Sequence, residues 1–290
     1  MASGNRFELS DAPLAPGLYL VATPIGNLRD ITLRALDVLN QADLVLAEDT
    51  RVTGKLLRAY GLSKKLVLYD EHAAAQVRPR ILEALANGER VALASDAGTP
   101  LISDPGYRLV RGAVAQGSSV FPIPGASAVL AGLTVAGLPT DRFLFAGFPP
   151  PKSTARRTFF AELVGVRATL VFFEGGSRLA ASLADMAAVF GPREAAVARE
   201  LTKLYETCIR GPLEVLAADP KLDAPKGEIV VLVGAGEEAS LSAADAYAAL
   251  AEAVKRLGPS EAASEVAKAT GLPRRELYRR AVELKAGHGR

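Results

Sequence analysis

A mainly apolar run over residues 17–23 (GLYLVAT) stops at Pro24, Gly26 and Asn27. A short apolar run closed by turn formers predicts a buried strand with a loop at its carboxyl end. Helical spacing follows over 31–41, where Ile31, Leu33, Ala35, Leu36 and Leu39 recur. Residues 44–47 predict a second strand ending at Glu48-Asp49-Thr50-Arg51, then a helix through Tyr60 that stops at Gly61. The alternation continues with a strand at 66–69, a helix at 73–87 and a strand at 91–95. A helix after Gly106, a strand at 119–122 and a helix from Ala126 complete the first half. Strands separated by helical patterns imply a parallel α/β sheet.

The alternation breaks at Phe148-Pro149-Pro150-Pro151-Lys152. Three consecutive prolines cannot form helix interior and make a stiff extended spacer. Beyond them a helix is predicted at 155–164, a strand at 168–173 and a helix at 177–190. Three further strands are predicted at 195–201, 205–210 and 228–233. Two of these lie close together, so the second sheet is expected to be mixed. From Leu241 the pattern is purely helical, over 243–256, 260–270 and 273–285. The expected fold is therefore two α/β domains, 1–147 and 152–237, and a small helical unit at 241–290.

The chain has 290 residues, 49% hydrophobic and 23% charged, which is globular composition. One cysteine, Cys208, excludes an internal disulfide and a multi-cysteine zinc site, and two histidines, His72 and His288, argue against a histidine metal site. No metal is expected. The longest nearly apolar run, 126–138, is too short to span a bilayer, and the start MASGNRFELSD carries no secretory pattern. No membrane association is expected, and the expected location is the cytoplasm. Net charge is +2, but residues 271–290 alone carry six Lys/Arg against two acids. A basic tail on a near-neutral body points to an anionic partner or to a solvated helix face.

No phosphate-binding G-x-x-x-x-G-K-[ST] loop and no G-x-S-x-G elbow occur. Gly234-Ala235-Gly236 follows a strand, but only helices remain downstream, so a dinucleotide fold is not expected. What is present is a set of loops at strand carboxyl ends, where open α/β sheets bind ligands. Thr23-Pro24-Ile25-Gly26-Asn27-Leu28 follows the first strand. Asp96-Ala97-Gly98-Thr99-Pro100-Leu101-Ile102-Ser103-Asp104-Pro105-Gly106 holds two Pro, two Gly and two Asp in addition to small residues, which let a ligand approach the backbone. Pro124-Gly125-Ala126-Ser127-Ala128 opens a helix whose free N–H groups suit a carboxylate or polar group.

The segments LYLVATPIGNLRDITLRAL, AEDTR, SDAGTPLISDPG, PIPGASA, FFEGGSRL, ELTKLYE and KGEIVVLV, in this order, resemble the tetrapyrrole methylase superfamily. Within it they resemble the ribosomal RNA small subunit methyltransferase I branch. The resemblance spans nearly the whole chain. It implies 2′-O-methylation of a decoding-centre cytidine of 16S rRNA in the small ribosomal subunit, with S-adenosylmethionine as cofactor. It also implies two α/β domains with the cofactor in the cleft between them, and a homodimer. Two segments depart from the family pattern. Gly175-Gly176-Ser177-Arg178 stands where Ser-Pro-His-Arg is common, which removes a polar contact. Glu71-His72 runs into three alanines where His-x-x-Asn-Glu is common, which weakens a catalytic role for that segment.

A ribose hydroxyl is a poor nucleophile, so a positioned base is expected. The candidates are Asp49, His72 and Glu200 beside Lys203. Asp49 is preferred because it ends a strand on the ligand edge, with Arg51 as a phosphate holder that Asp49 would merely orient in the alternative reading. Glu200 and Lys203 are catalytic candidates or each other's salt bridge. Cofactor contacts are expected from Asp96, Ala97, Gly98, Pro100, Ile102, Asp104, Gly125, Ala126 and Ser127, and from main chain near Arg199 and Glu228. Substrate contacts are expected from Asn27, Arg51 and His72. In the tail, Val266, Ala267, Gly271 and Leu277 fit helix-turn-helix spacing. Arg274, Arg275 and Arg279 would then meet RNA phosphate. Two other readings remain open: a methyltransferase of a tetrapyrrole-like small molecule, and a non-catalytic RNA-binding protein.

Overall fold

The computed structural model describes residues 8–103, 105–236, 243–270 and 272–287. Asp104 and Gly271, named above for the cofactor and the helical turn, lie outside the described residues.

The first half supplies β1 (Gly17–Val21), β2 (Leu44–Ala47), β3 (Leu66–Leu68), β4 (Arg90–Ala94) and β5 (Val120–Ile123). Between them run α1 (Leu33–Gln41), α2 (Thr50–Ala59), α3 (Ala74–Ala86) and α4 (Tyr107–Ala115). The strands form one parallel sheet in the order β3-β2-β4-β1-β5. Successive strand residues point to opposite faces, and here both faces are buried. Leu18, Leu46, Val91 and Leu93 pack with Ile81 and Leu109 on one side. Tyr19, Val21, Val45, Ala92 and Ala94 pack with Leu36, Leu39 and Leu57 on the other. That is why these strands are apolar throughout rather than alternating. Thr32 caps α1 by accepting from the Ala35 N–H, and Asp49 caps α2 by accepting from the Arg51 N–H.

The next helix, α5 (Ala128–Ala136), starts at a Ser127 cap and ends at Gly137 in the left-handed conformation. It lies against the second sheet, not the first. Val129, Leu133 and Ala136 pack on Val171, Ala196, Ala198, Val230 and Leu232. At Gly132 a Cβ would lie 3.0 Å from Val230 Cγ1, so helix and strand meet closely there.

The second half contains β6 (Phe143–Phe145), α6 (Ser153–Leu163), β7 (Thr169–Gly175), α7 (Gly176–Phe190), β8 (Glu194–Arg199), β9 (Thr207–Pro212), α8 (Leu213–Ala218) and β10 (Glu228–Val233). The sheet order is β6-β7-β10-β8-β9. β6 runs parallel to β7 and the other neighbours are antiparallel, so the sheet is mixed. Phe160, Phe172 and Phe190 cluster on its far face, with the first two rings 5.5 Å apart. Both sheets belong to one compact unit.

β6 and α8 are absent from the sequence expectation. Three residues are too few to show a period, and β6 is a strand because β7 supplies its hydrogen bonds. β6 and α5 precede the three prolines yet join the second sheet, so the chain leaves the first sheet before that spacer. The prolines are anchored by Arg156, which donates to the carbonyls of Pro150 and Pro151. Its guanidinium pairs with Asp185 at 2.6 Å, with side chains only 4% and 5% exposed. Arg157 and Ser153 hold the other Asp185 oxygen.

The second unit holds α9 (Ala243–Arg256), α10 (Pro259–Thr270) and α11 (Arg274–Gly287). They pack around Leu250, Ala253, Ala262, Val266, Leu277 and Ala281.

Asp185→Ala leaves Arg156 buried without its counter-charge, so a loss of ~3–5 kcal/mol in urea unfolding is expected. A loss below about 1 kcal/mol would show that the pair does not anchor the proline spacer.

Candidate functional site

The strand order places β4 beside β1, with β5 beyond β1 and β2 beyond β4. Connections therefore diverge at β1 and β4, and the loops leaving their carboxyl ends border a crevice. Those loops are joined. The Thr23 N–H donates to the Gly98 carbonyl at 2.9 Å, and Gly98 N–H returns a bond to Thr23 at 3.0 Å. The buried Thr23 hydroxyl donates to the Ser95 carbonyl at 2.8 Å. Gly98 has φ +82°, in the left-handed region that a side chain disfavours. Leu101 and Ser103 in the same loop also have positive φ, 75° and 69°. Such residues cost about 1–3 kcal/mol each and collect at functional sites.

A cavity of about 420 Å³ opens between the two sheets. One wall is Ile25, Ala97, Gly98, Thr99 and Ile102, with Ser127–Val129 of α5; the other is Phe148, Phe173, Glu174, Arg178, Leu201 and 227–230. The volume is typical of a small-molecule site, and the lining is mainly apolar with a few convergent polar groups. Glu174 is buried and fully engaged. It takes Arg178 at 2.6 Å, the Ser182 hydroxyl at 2.5 Å and the Gly175 N–H at 2.8 Å. At Gly176 a Cβ would come within 1.7 Å of the Pro225 carbonyl, which explains the glycine in the departing GGSR segment.

A second cavity, about 330 Å³, adjoins the first, sharing Ile25, Ala97 and Glu228. It is lined by Thr23, Thr53, Lys55, Ser95, Asp96 and Lys203, among others. Lys203 reaches it from a strained turn in which Glu200 and Thr202 have φ of 52° and 66°. Its ammonium pairs with Glu200 at 2.8 Å and Glu228 at 3.1 Å. Burial pulls the Lys203 ammonium down, but those two hydrogen bonds outweigh it and hold its pKa above the ordinary value. Glu200 is held below the ordinary carboxylate range by Lys203 and by the Glu228 N–H. Gly227 leaves room for it, since a Cβ there would lie 2.5 Å from Glu200 Oε1. The loop after β1 presses on the same turn. A Cβ on Gly26 would meet Lys203 Cγ at 2.5 Å, and the Asn27 N–H donates to Thr202 Oγ1.

The two aspartates at the edge differ sharply. Asp49 is clamped by Arg51 through Nε at 2.9 Å and Nη2 at 2.5 Å, and it also accepts the Arg51 N–H. The Arg51 guanidinium holds its pKa at about 2. Asp96 accepts the Asp49 N–H at 2.9 Å and has no ion pair among the described residues. Burial raises its pKa above the ordinary value, and the nearby Asp49 charge adds to the shift.

Of the expected cofactor residues, Ala97, Gly98, Ile102, Ser127 and Glu228 line the larger cavity. Asp96 lines the smaller. Pro100, Gly125 and Ala126 line neither. Gly125 packs on Ala22, and the Ala126 carbonyl accepts the Thr99 hydroxyl. The Arg199 side chain turns to the Lys226 carbonyl and Thr207, although its strand ends beside the cavity. Glu200 and Lys203 form the salt bridge of the alternative reading, and Lys203 also faces the smaller cavity. Asp49, Arg51 and Asn27 stand at the edge outside both linings, with the Arg51 side chain 84% exposed. His72 is exposed and lines neither cavity. Arg274 is spent on Ser264 at 2.7 Å and Ser260 at 3.0 Å, whereas Arg275 and Arg279 are exposed. Sequence reasoning missed Phe148, Phe173, Ile229, Arg178 and Thr53. Apolar strand residues carry no local sign that they face a cavity rather than core.

A family model described as Tetrapyrrole (Corrin/Porphyrin) Methylases matches residues 17–217, and one described as RsmI C-terminal HTH domain matches 240–285. The chain is 52% identical over 287 residues to the Ribosomal RNA small subunit methyltransferase I of Mesorhizobium japonicum, covering 98% of both chains. It is 55% identical over 280 residues to the protein of that name from Erythrobacter litoralis, covering 97% of this chain and 99% of that one. Among solved structures it is similar to a diphthine synthase (TM-score 0.59, 18% identity, 75% of this chain and 89% of that one). It is also similar to the uroporphyrin-III-C-methyltransferase of Thermus thermophilus (TM-score 0.53, 23% identity, 76% and 94%). These two likenesses establish the fold.

The Asp49 carboxyl is expected to titrate near about 2 in carbon-detected NMR, and Arg51→Ala to return it toward the ordinary 3.8. An unmoved midpoint would show that the clamp is not its cause.

Proposed function

The chain belongs to the tetrapyrrole methylase family, and from that membership we propose that it is an S-adenosylmethionine-dependent methyltransferase of small-subunit ribosomal RNA. The acceptor is the 2′-hydroxyl of a decoding-centre cytidine in 16S rRNA, and the enzyme works as a cytoplasmic homodimer. One observation carries this reading: the likeness to the ribosomal RNA methyltransferases runs through both sheets and on through the helical tail. A small-molecule methylase would have no evident need for that tail, with its exposed Arg275 and Arg279. Among the described residues, no helix is long and apolar enough to cross a membrane.

The residues of the larger cavity fit the cofactor. Phe148, Phe173, Ile229 and Val230 offer an apolar wall for a flat heteroaromatic ring. Ser127, Thr99 and the backbone around Gly98 offer partners for hydroxyl and amino acid groups. Aromatic faces and the Glu228 carboxylate suit a cation, and at Gly98 a Cβ would lie 3.3 Å from Ile25 Cγ2, so the loop packs closely against the cavity wall there. When bound, the cofactor supplies an electrophilic methyl: an oxygen lone pair forms the O–CH₃ bond as the S–CH₃ bond breaks, leaving a neutral thioether and one proton to be taken up. The rest falls to the protein. Its two cavities share a wall, so a group in the smaller one abuts the larger, as alignment for transfer requires. Lys203 stays protonated and supplies positive charge beside the acceptor.

The test is labelled S-adenosylmethionine with purified protein and undermethylated small ribosomal subunits. Label is expected in an alkali-resistant dinucleotide, because a 2′-O-methyl blocks cleavage at that ribose. No label in RNA despite cofactor binding would favour a small-molecule acceptor. Ala97 lines both cavities, so Ala97→Trp is expected to weaken S-adenosylhomocysteine binding more than ~10-fold by calorimetry, about 1.4 kcal/mol. Unchanged affinity would place the cofactor elsewhere.

A further inference from the structure

We propose that the smaller cavity is the acceptor chamber and that Asp96, not Asp49, takes the proton of the acceptor hydroxyl. This rests on the RNA methyltransferase reading and names the residues that would meet the ribose. The chamber opens at the carboxyl edge of the first sheet, and Ile25, Ala97 and Glu228 are its common wall with the cofactor cavity. A group seated in it is thus next to whatever occupies the larger one.

Its lining matches a ribose-phosphate. Lys55 is exposed and has no ion pair among the described residues, so it is the cation open to a phosphate. Thr53 is 1% exposed, and among the described residues its hydroxyl has no hydrogen-bond partner. A buried hydroxyl left unpaired is costly unless a ligand atom meets it on binding.

Among the described residues, two carboxylates face the chamber. Glu228 holds Lys203, and its side chain is 74% exposed. Asp96 is the better placed: one oxygen is fixed by the Asp49 N–H, and among the described residues no cation forms an ion pair with the carboxylate. Asp49 fails the same requirement. Arg51 occupies both of its oxygens, and it lines neither cavity. Its role is to hold Asp96 in place through its backbone N–H. The proton leaving the hydroxyl passes to a carboxylate oxygen of Asp96 as the new O–CH₃ bond forms, and water then removes it. Burial is the main influence on the titration of Asp96 and raises it; the Asp49 N–H lowers it, the Asp49 charge raises it and the Arg51 charge lowers it. Lys55, Lys203 and Glu228 face the same chamber.

The experiment compares the full-length protein with Asp96→Asn, which keeps the oxygen that accepts the Asp49 N–H. Single-turnover methyl transfer to undermethylated small subunits is followed from pH 5 to 9, with S-adenosylhomocysteine affinity measured alongside. The expected result is a ~10²–10⁴-fold slower transfer with affinity unchanged within about twofold. The acidic limb of the wild-type profile should disappear. Thermal unfolding supplies a readout without turnover. The raised Asp96 pKa means that ionisation weakens the folded state as pH rises past the ordinary carboxylate range. Asp96→Asn should therefore raise the unfolding midpoint at pH 7 and leave it unchanged near pH 3. Transfer within about threefold of wild type would overturn the proposal, as would a midpoint difference independent of pH. A large loss of S-adenosylhomocysteine affinity would also overturn it and return Asp96 to the cofactor. If the wild type binds S-adenosylhomocysteine but labels no RNA, the RNA reading itself falls, and this assignment falls with it.

Discussion

The paired backbone hydrogen bonds between Thr23 and Gly98 are the constraint on which the site depends. Two loops that leave neighbouring parallel strands would otherwise diverge, one with each direction of winding. The bridge holds them together at the point of divergence, and the Thr23 hydroxyl locks the arrangement onto Ser95. It asks for a left-handed residue at position 98, which glycine adopts without steric cost. Ile25 and Ala97, on either side of the bridge, then become the wall between the two cavities. The same short stretch of backbone thus shapes both chambers.

The opposite wall needs the second sheet at a fixed place, and α5 supplies it. This helix follows the last strand of the first sheet, but its apolar face packs on the second. Gly132 lets it sit close to Val230, two residues from the Glu228 end of β10. The N-terminus of α5, with its Ser127 cap, therefore faces the cleft while its body is clamped to the far wall. Burial of Arg156 with Asp185 ties the proline spacer to α7, which fixes the chain where it returns to the sheet.

Electrostatics then separates residues that look alike in sequence. Asp49 and Asp96 both end strands of one sheet, and a hydrogen bond joins them. Arg51 makes Asp49 a permanently charged cap, whereas burial leaves Asp96 the more basic carboxylate. Divergent environments of two nearby carboxyls commonly mark different chemical duties. Lys203 is likewise committed: two glutamates keep it cationic, which suits anion binding and excludes it as a base.

Much of this was legible in the residues alone. The apolar runs at Gly17, Leu44, Val91 and Glu228 and their helical intervals declare two α/β sheets, because a strand buried on both faces must be apolar throughout. The Pro- and Gly-rich loops at Thr23 and Asp96, whose composition cannot join a regular element, are the ones that border the two cavities. Tail helices showed in the spacing of Val266 and Leu277, both buried. Other features are matters of pairing at long range, which no local pattern records. Phe143–Phe145 is a strand only because β7 lies beside it, and α5 serves the second sheet although its sequence neighbours serve the first. Phe148 and Phe173 face a cavity, whereas Phe172, on the opposite face of its strand, packs with Phe160 and Phe190. Local sequence can name the carboxylates at the edge; only the folded chain decides which of them meets a guanidinium and which is left half-buried without one.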